Sequence, residues 1–127
     1  MLQVRLACLL APLALLPSCA LAVGAAIGAG VVHTTSEDTA EMILRDGEAA
    51  VFAAAEATLE SLGRVEAADS KRGVLTARID ETEVEVRIGP AEAGKTRLEV
   101  QARRVAGLSP DLETAKRVAR AVAEKLD

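Results

Sequence analysis

The sequence predicts an α+β domain: a two-layer sandwich in which a four-stranded antiparallel meander carries two helices on one face, in the order α-ββββ-α. Three observations predict it. Apolar residues recur at near-four spacing from Ala40 to Leu62, alternate in short runs between Arg64 and Arg103, and return to helical spacing from Leu112 to Leu126.

The first helix is expected to start at Thr34, Thr35 and Ser36, whose hydroxyls can cap free amides, with Glu37 and Asp38 at the positive end of the dipole. Ala40, Ile43, Leu44, Val51, Ala54, Ala55, Leu59 and Leu62 then trace one side of a single long amphipathic helix that Gly63 ends. Its outer side would carry Glu41, Asp46, Glu48, Glu56 and Glu60, a solvated face rather than a metal site.

After Gly63 the period changes to two. Arg64 to Ala68 is a weak first strand, and Asp69-Ser70-Lys71-Arg72-Gly73 is turn chemistry. Leu75, Ala77 and Ile79 alternate with Thr76 and Arg78; after a turn at Asp80 to Thr82, Val84, Val86 and Ile88 alternate with Glu85 and Arg87. Gly89 to Gly94 makes a looser turn before Leu98, Val100 and Ala102, which alternate with Arg97, Glu99, Gln101 and Arg103. Charged residues at every second position mark an antiparallel sheet with one wet face. Ser109-Pro110 reads as an N-cap followed by a proline at the first helical position, with Asp111 and Glu113 in the first turn, and Leu112, Ala115, Val118, Ala119, Val122 and Leu126 line the closing helix.

Composition narrows the function classes. Half of the 127 residues are apolar, yet Phe52 is the only aromatic, so Ala, Val, Leu and Ile must fill the core and stacking surfaces for bases, sugars or flat cofactors are missing. A formal charge of −4 gives no general affinity for nucleic acid. Cys8 and Cys19 both fall in the apolar N-terminal stretch, leaving the domain without a disulfide or a zinc cluster. His33 stands in the linker with no second His or Cys beside it, and no cofactor is implied.

From Leu6 to Val32 there is no charged residue, a length that can span a bilayer. Three readings compete. Arg5 can be a sparse n-region, Leu6 to Leu16 the h-region, and Leu16-Pro17-Ser18-Cys19 a lipobox, in which a small residue before the cysteine permits cleavage once the thiol is diacylated. Alternatively Ala20-Leu21-Ala22 is an A-x-A site that frees a soluble protein, or the segment stays uncut as an anchor, although Pro12 and Pro17 interrupt a helix there. The lipobox reading is preferred. It divides the chain into a signal peptide (1–18), a lipidation site with an apolar Gly/Ala-rich tether (19–35) and one α+β domain (36–127). Ala20 rather than Asp after the cysteine permits sorting to the outer membrane of diderm bacteria. Ala20, Gly24 and Gly28 repeat at four-residue spacing, read as a compact tether rather than a membrane packing face.

One motif invites a different function. Gly89-Pro90-Ala91-Glu92-Ala93-Gly94-Lys95-Thr96 fits the phosphate-binding pattern G-x-x-x-x-G-K-[ST] without a mismatch. A strand feeding such a loop is buried on both faces, whereas Glu83, Glu85 and Arg87 alternate along this one. Period two also continues after Thr96 where a helix is required, so nucleotide binding is not expected. Arg103, Arg104, Lys116, Arg117 and Arg120 gather near the last helix and could meet an anionic polymer or lipid headgroup; a solvated surface paired with Glu113 and Glu124 explains them more simply.

The lipobox cysteine, the GAAIGAG segment, the Leu62-Gly63 helix end and the "GKTRLEVQARR" strand together resemble a family of small uncharacterised bacterial lipoproteins. The resemblance covers nearly the whole chain from Cys19. Its members have no assigned activity, so it implies no catalytic residue, and it supports Lys95 and Thr96 as a strand entry. The expected function is that of a non-catalytic lipoprotein of the bacterial envelope, on the periplasmic side, acting as a structural or interaction module toward an envelope protein. The alternative is an envelope domain that binds a lipid or small apolar ligand between helices and sheet.

Overall fold

In the computed structural model, which describes residues 31–104 and 108–127, the sheet has six strands. These are β1 (His33–Thr34), β2 (Thr39–Leu44), β3 (Arg64–Asp69), β4 (Val74–Ile79), β5 (Thr82–Pro90) and β6 (Thr96–Arg104). Helix α1 (Glu48–Leu62) lies between β2 and β3, a 3₁₀ turn (Glu92–Gly94) joins β5 to β6, and α2 (Leu112–Leu126) closes the chain. All pairings are antiparallel, in the spatial order β1-β2-β6-β5-β4-β3.

The expected four-stranded meander is therefore corrected to a six-stranded sheet, and the expected long helix to a strand followed by a shorter helix. Its first part, Thr39–Leu44, is β2, inserted beside β6 (Met42 opposite Leu98, Ala40 opposite Val100). The physical reason lies in the segment itself. Ala40, Met42 and Leu44 alternate inward with Thr39, Glu41 and Ile43, and the helical template had left out Met42, which is 2 % exposed. Asp46-Gly47 is a turn signal inside the expected helix, and Gly47 is the residue from which α1 starts. Thr35 and Ser36 do not cap a helix: Thr35 N–H donates to the Thr39 carbonyl, and Ser36 donates to Asp38.

The consecutive strands β3 to β6 are held by local chemistry. Asp69 Oδ1 accepts from the amides of Lys71 and Arg72, both at 3.2 Å, which folds the β3–β4 turn. Gly73 closes that turn at φ +69°, and a Cβ there would stand 2.3 Å from the Ile88 carbonyl oxygen. Gly63 has a different requirement. Its φ is unremarkable, but a Cβ would lie 2.1 Å from the Arg78 carbonyl oxygen, so only glycine lets the chain leave α1 this close to β4.

Both helices cover the same face of the sheet. Val51, Ala55 and Leu59 of α1 and Ala115, Val118, Ala119 and Val122 of α2 meet Leu75, Ala77, Val84, Val86, Leu98 and Val100 in one buried cluster. Small and aliphatic side chains fill it, and its members are 0 to 7 % exposed. Among the described residues no helix is long and apolar enough to cross a membrane.

The start of the closing helix is also corrected. Asp111, not Ser109, is the N-cap of α2: its Oδ1 accepts from the Thr114 amide at 3.3 Å. Ser109 and Pro110 are drawn toward β6 instead. The Ser109 carbonyl accepts from Arg104 N–H, and Pro110 bridges Arg103.

Candidate functional site

The sheet face turned away from the helices is polar, and strand register composes it row by row. Arg103 faces Glu83, which faces Arg78; Glu41 faces Glu99, which faces Arg87; Thr39, Gln101 and Glu85 lie between. Arg87 pairs with Glu85 at 3.1 Å and Arg97 with Glu41 at 3.9 Å. Opposite charges directly across neighbouring strands, Glu83 between Arg78 and Arg103 and Arg87 beside Glu99, stabilise a wet face without burial, whereas Glu41 and Glu99 face each other as like charges. A shallow depression of about 210 Å³ lies among Thr39, Glu85, Arg87, Glu99 and Gln101.

Asp38 organises one end of this face. It is 5 % exposed, and its carboxylate accepts from Ser36 Oγ, Thr39 Oγ1, Gln101 Nε2 and Arg103 Nε. Its own carbonyl accepts from Ala102 N–H at 2.8 Å. The Arg103 guanidinium, joined by the Ser36 and Thr39 hydroxyls, holds this carboxyl far below the ordinary range against the opposing effect of burial. A carboxylate so saturated with donors is a fixed negative charge and a poor proton acceptor.

Asp111 does the corresponding work on the helix side. Its Oδ2 accepts from Thr82 Oγ1 and Thr114 Oγ1, each at 2.7 Å, while its amide donates to the Ala102 carbonyl. The Thr82 hydroxyl chiefly, with Thr114 and the charge of Arg104 4.0 Å away, lowers its pKa, again against burial. The two aspartates thus grip the end of β6 through adjacent residues: the Asp38 carboxylate takes Gln101 and Arg103, and the Asp111 backbone amide ties Ala102 to the start of α2.

Both are missed by sequence reading, which assigns Asp38 and Asp111 to helix first turns. The usable signals were slight: Ser36-Glu37-Asp38-Thr39 packs hydroxyls around an acid, and Asp111 precedes Thr114 at capping-box distance.

The residues singled out in the sequence fall as follows. Cys8 and Cys19 lie outside the described residues. His33 is exposed on β1, opposite Glu41 in register. Gly89 to Thr96 fold as the β5–β6 hairpin: Ala91 N–H donates to the Lys95 carbonyl, Lys95 N–H donates to Glu92, and strand β6 rather than a helix follows. The Thr96 hydroxyl, which the motif would place on magnesium, is buried and donates to the Asp46 carbonyl at 2.6 Å. Of the five basic residues, Arg103 is taken by Asp38, Arg104 lies 4.0 Å from Asp111, and Lys116 pairs with Glu113 at 3.6 Å. Arg117 and Arg120 line an open depression of about 460 Å³ on α2 with Glu113, Thr114, Ala121 and Glu124.

Among the described residues no three His, Cys, Asp or Glu side chains gather as metal ligands. What this surface offers chemically is recognition by charge and shape. Compared with known proteins, the chain matches no family model and no curated protein. Fold and surface define it only as a two-layer α+β module with a closed core.

Proposed function

We propose that the chain is a non-catalytic lipoprotein of the bacterial envelope, an interaction or structural module held at a membrane through acylated Cys19. The observation that carries this reading is Leu16-Pro17-Ser18-Cys19 directly after an uncharged apolar run that begins at Leu6. Lipid chains on one cysteine anchor a small domain stably when there are two or three of them. The resemblance to small bacterial lipoproteins rests on the same cysteine and the segments that follow it.

The folded part supports a module over a ligand carrier. Its interior positions are occupied by Val, Leu, Ile and Ala at 0 to 7 % exposure, whereas small-molecule pockets are typically about 300 to 1,000 Å³ and mostly apolar. The depression of about 460 Å³ on α2 is open and lined mainly by charged side chains (Glu113, Arg117, Arg120, Glu124), and the one beside the single aromatic, lined by Glu48, Phe52, Lys71, Arg72 and Ile88 among others, holds about 220 Å³ at the surface. The most strongly held carboxylates, Asp38 and Asp111, are spent on the fold.

Cys19→Ala tests the proposal. In a bacterial host supplied with labelled fatty acid, the variant is expected to lose acyl label and to leave the membrane fraction. Unchanged membrane retention contradicts lipidation at Cys19.

A further inference from the structure

We propose that the helix layer is a self-complementary docking surface for a second copy of this chain, α1 of each copy lying on α2 of the other. The argument starts from how charge divides between two helices packed side by side. In fifteen residues α1 carries Glu48, Glu56 and Glu60 and no lysine or arginine. In fifteen residues α2 carries Lys116, Arg117, Arg120 and Lys125 against Glu113 and Glu124. One layer thus presents a negative helix beside a positive one.

Two such layers can meet about a two-fold axis in two ways. An axis running across the helices sets α1 on α1 and α2 on α2, with glutamates facing glutamates and arginines facing arginines. An axis running along them sets α1 on α2 at both places, and the net charges of the facing helices are then opposite in sign, Glu113 and Glu124 of α2 being outnumbered by its four basic residues. Closed two-fold dimers bury the same patch on both subunits, so this second arrangement uses the charge division twice.

The solvent side of α1 suits the contact. Ala49, Ala50, Ala53 and Ala57 are exposed there, and the helix is apolar around much of its circumference. Alanines have no side-chain entropy to lose and leave room for the long side chains of Arg117 and Arg120, both exposed, to reach Glu56 and Glu60. Association driven by such surface pairs is weak and sensitive to salt. It is independent of whether Cys19 is acylated.

Charge reversal followed by mixing tests the proposal. The full chain in non-ionic detergent is followed by sedimentation equilibrium in low salt and in 0.5 M salt, alongside Glu56→Lys/Glu60→Lys and Arg117→Glu/Arg120→Glu, with circular dichroism confirming that each folds. Wild type is expected to dimerise and to weaken at least tenfold in high salt. Each double variant alone is expected to lose the dimer at least tenfold, because the net charges of its two helices then have the same sign. An equimolar mixture of the two is expected to dimerise again, since positive helices then face negative ones. A wild-type chain that stays monomeric at millimolar concentration overturns the proposal, as does a dimer that neither reversal weakens, or a mixture that fails to recover. Binding of monomeric wild type to vesicles with one-third phosphatidylglycerol, lost in Arg117→Glu/Arg120→Glu, would assign the basic band to lipid and overturn it equally.

Discussion

Strand β6 has two neighbours, and they are held to it by different means. On one side β5 runs nine residues and reaches β6 through a short hairpin, so pairing follows directly from the turn and from alternating valines, leucines and isoleucines. On the other side β2 is six residues long and arrives from the far end of the chain; Asp38 meets Gln101 across 63 positions of sequence. A distant strand must overcome loop-closure entropy before its contacts contribute. The second seam accordingly carries the polar fasteners: Asp38 at one end, and at the other the Thr96 hydroxyl on the carbonyl of Asp46, just beyond β2. Hairpin seams can rest on local pattern, whereas a seam closed at long range needs specific, charged or buried hydrogen bonds to fix its register.

Asp38→Ala is the strongest way to break the contrast. It removes the acceptor for four donors, each bond to a charged group being worth roughly 1.5 to 3 kcal/mol but shared and partly recovered by water. A loss of about 3 kcal/mol in denaturant unfolding is expected. Amide exchange should quicken across Thr39–Leu44 more than across Thr82–Pro90, and equal acceleration of both strands would show that the two seams open as one.

Asp111→Ala removes the α2 cap together with the tie to Thr82, and about 2 kcal/mol is expected, the upper range for a cap. Exchange should rise first in the opening turn of α2. Both carboxylates also predict acid sensitivity. Their folded pKa values lie below the unfolded value near 3.9, so the unfolded chain binds more protons in that region and stability falls as pH drops below about 4. Above about pH 5 their contribution is complete. Replacing both with Asn should flatten the fall in stability between pH 5 and pH 2, read by urea titration at each pH.

Thr96→Val keeps shape and removes one hydroxyl. About 1 kcal/mol is expected from the lost bond to Asp46, whose carbonyl is left facing an apolar side chain. Lys95→Ala sharpens the comparison from the weak end: an exposed hairpin residue should change stability by less than about 0.5 kcal/mol. ATP binding that depends on Lys95 would contradict the reading of Gly89–Thr96 as a turn.

The same contrast explains what was legible in the sequence. β4, β5 and β6 could be traced because Leu75 to Ile79, Val84 to Ile88 and Leu98 to Ala102 each carry their own period-two pattern, and the turns between them are built from residues next door. β2 was not legible, since six residues with Ala40, Ile43 and Leu44 fit a helix as well as a strand; what decides is β6, more than fifty residues away. Asp46-Gly47 was the local sign of a break, and it was outweighed by the long apolar run on either side. The roles of Asp38 and Asp111 in the sheet depend on Gln101, Arg103 and Thr82, which only folding brings near, so a local reading could see only acids near helix starts. Cys19 is the opposite case: its meaning lies wholly in adjacent sequence, and the described fold adds nothing to it.

Cys19 is accordingly where the account is most exposed. Intact mass spectrometry of the mature chain extracted from membranes distinguishes every processing route at once. The account predicts a chain that begins at Cys19 and carries the added mass of two or three acyl chains. An unacylated chain beginning at Val23, or an uncut chain beginning at Met1, would contradict it.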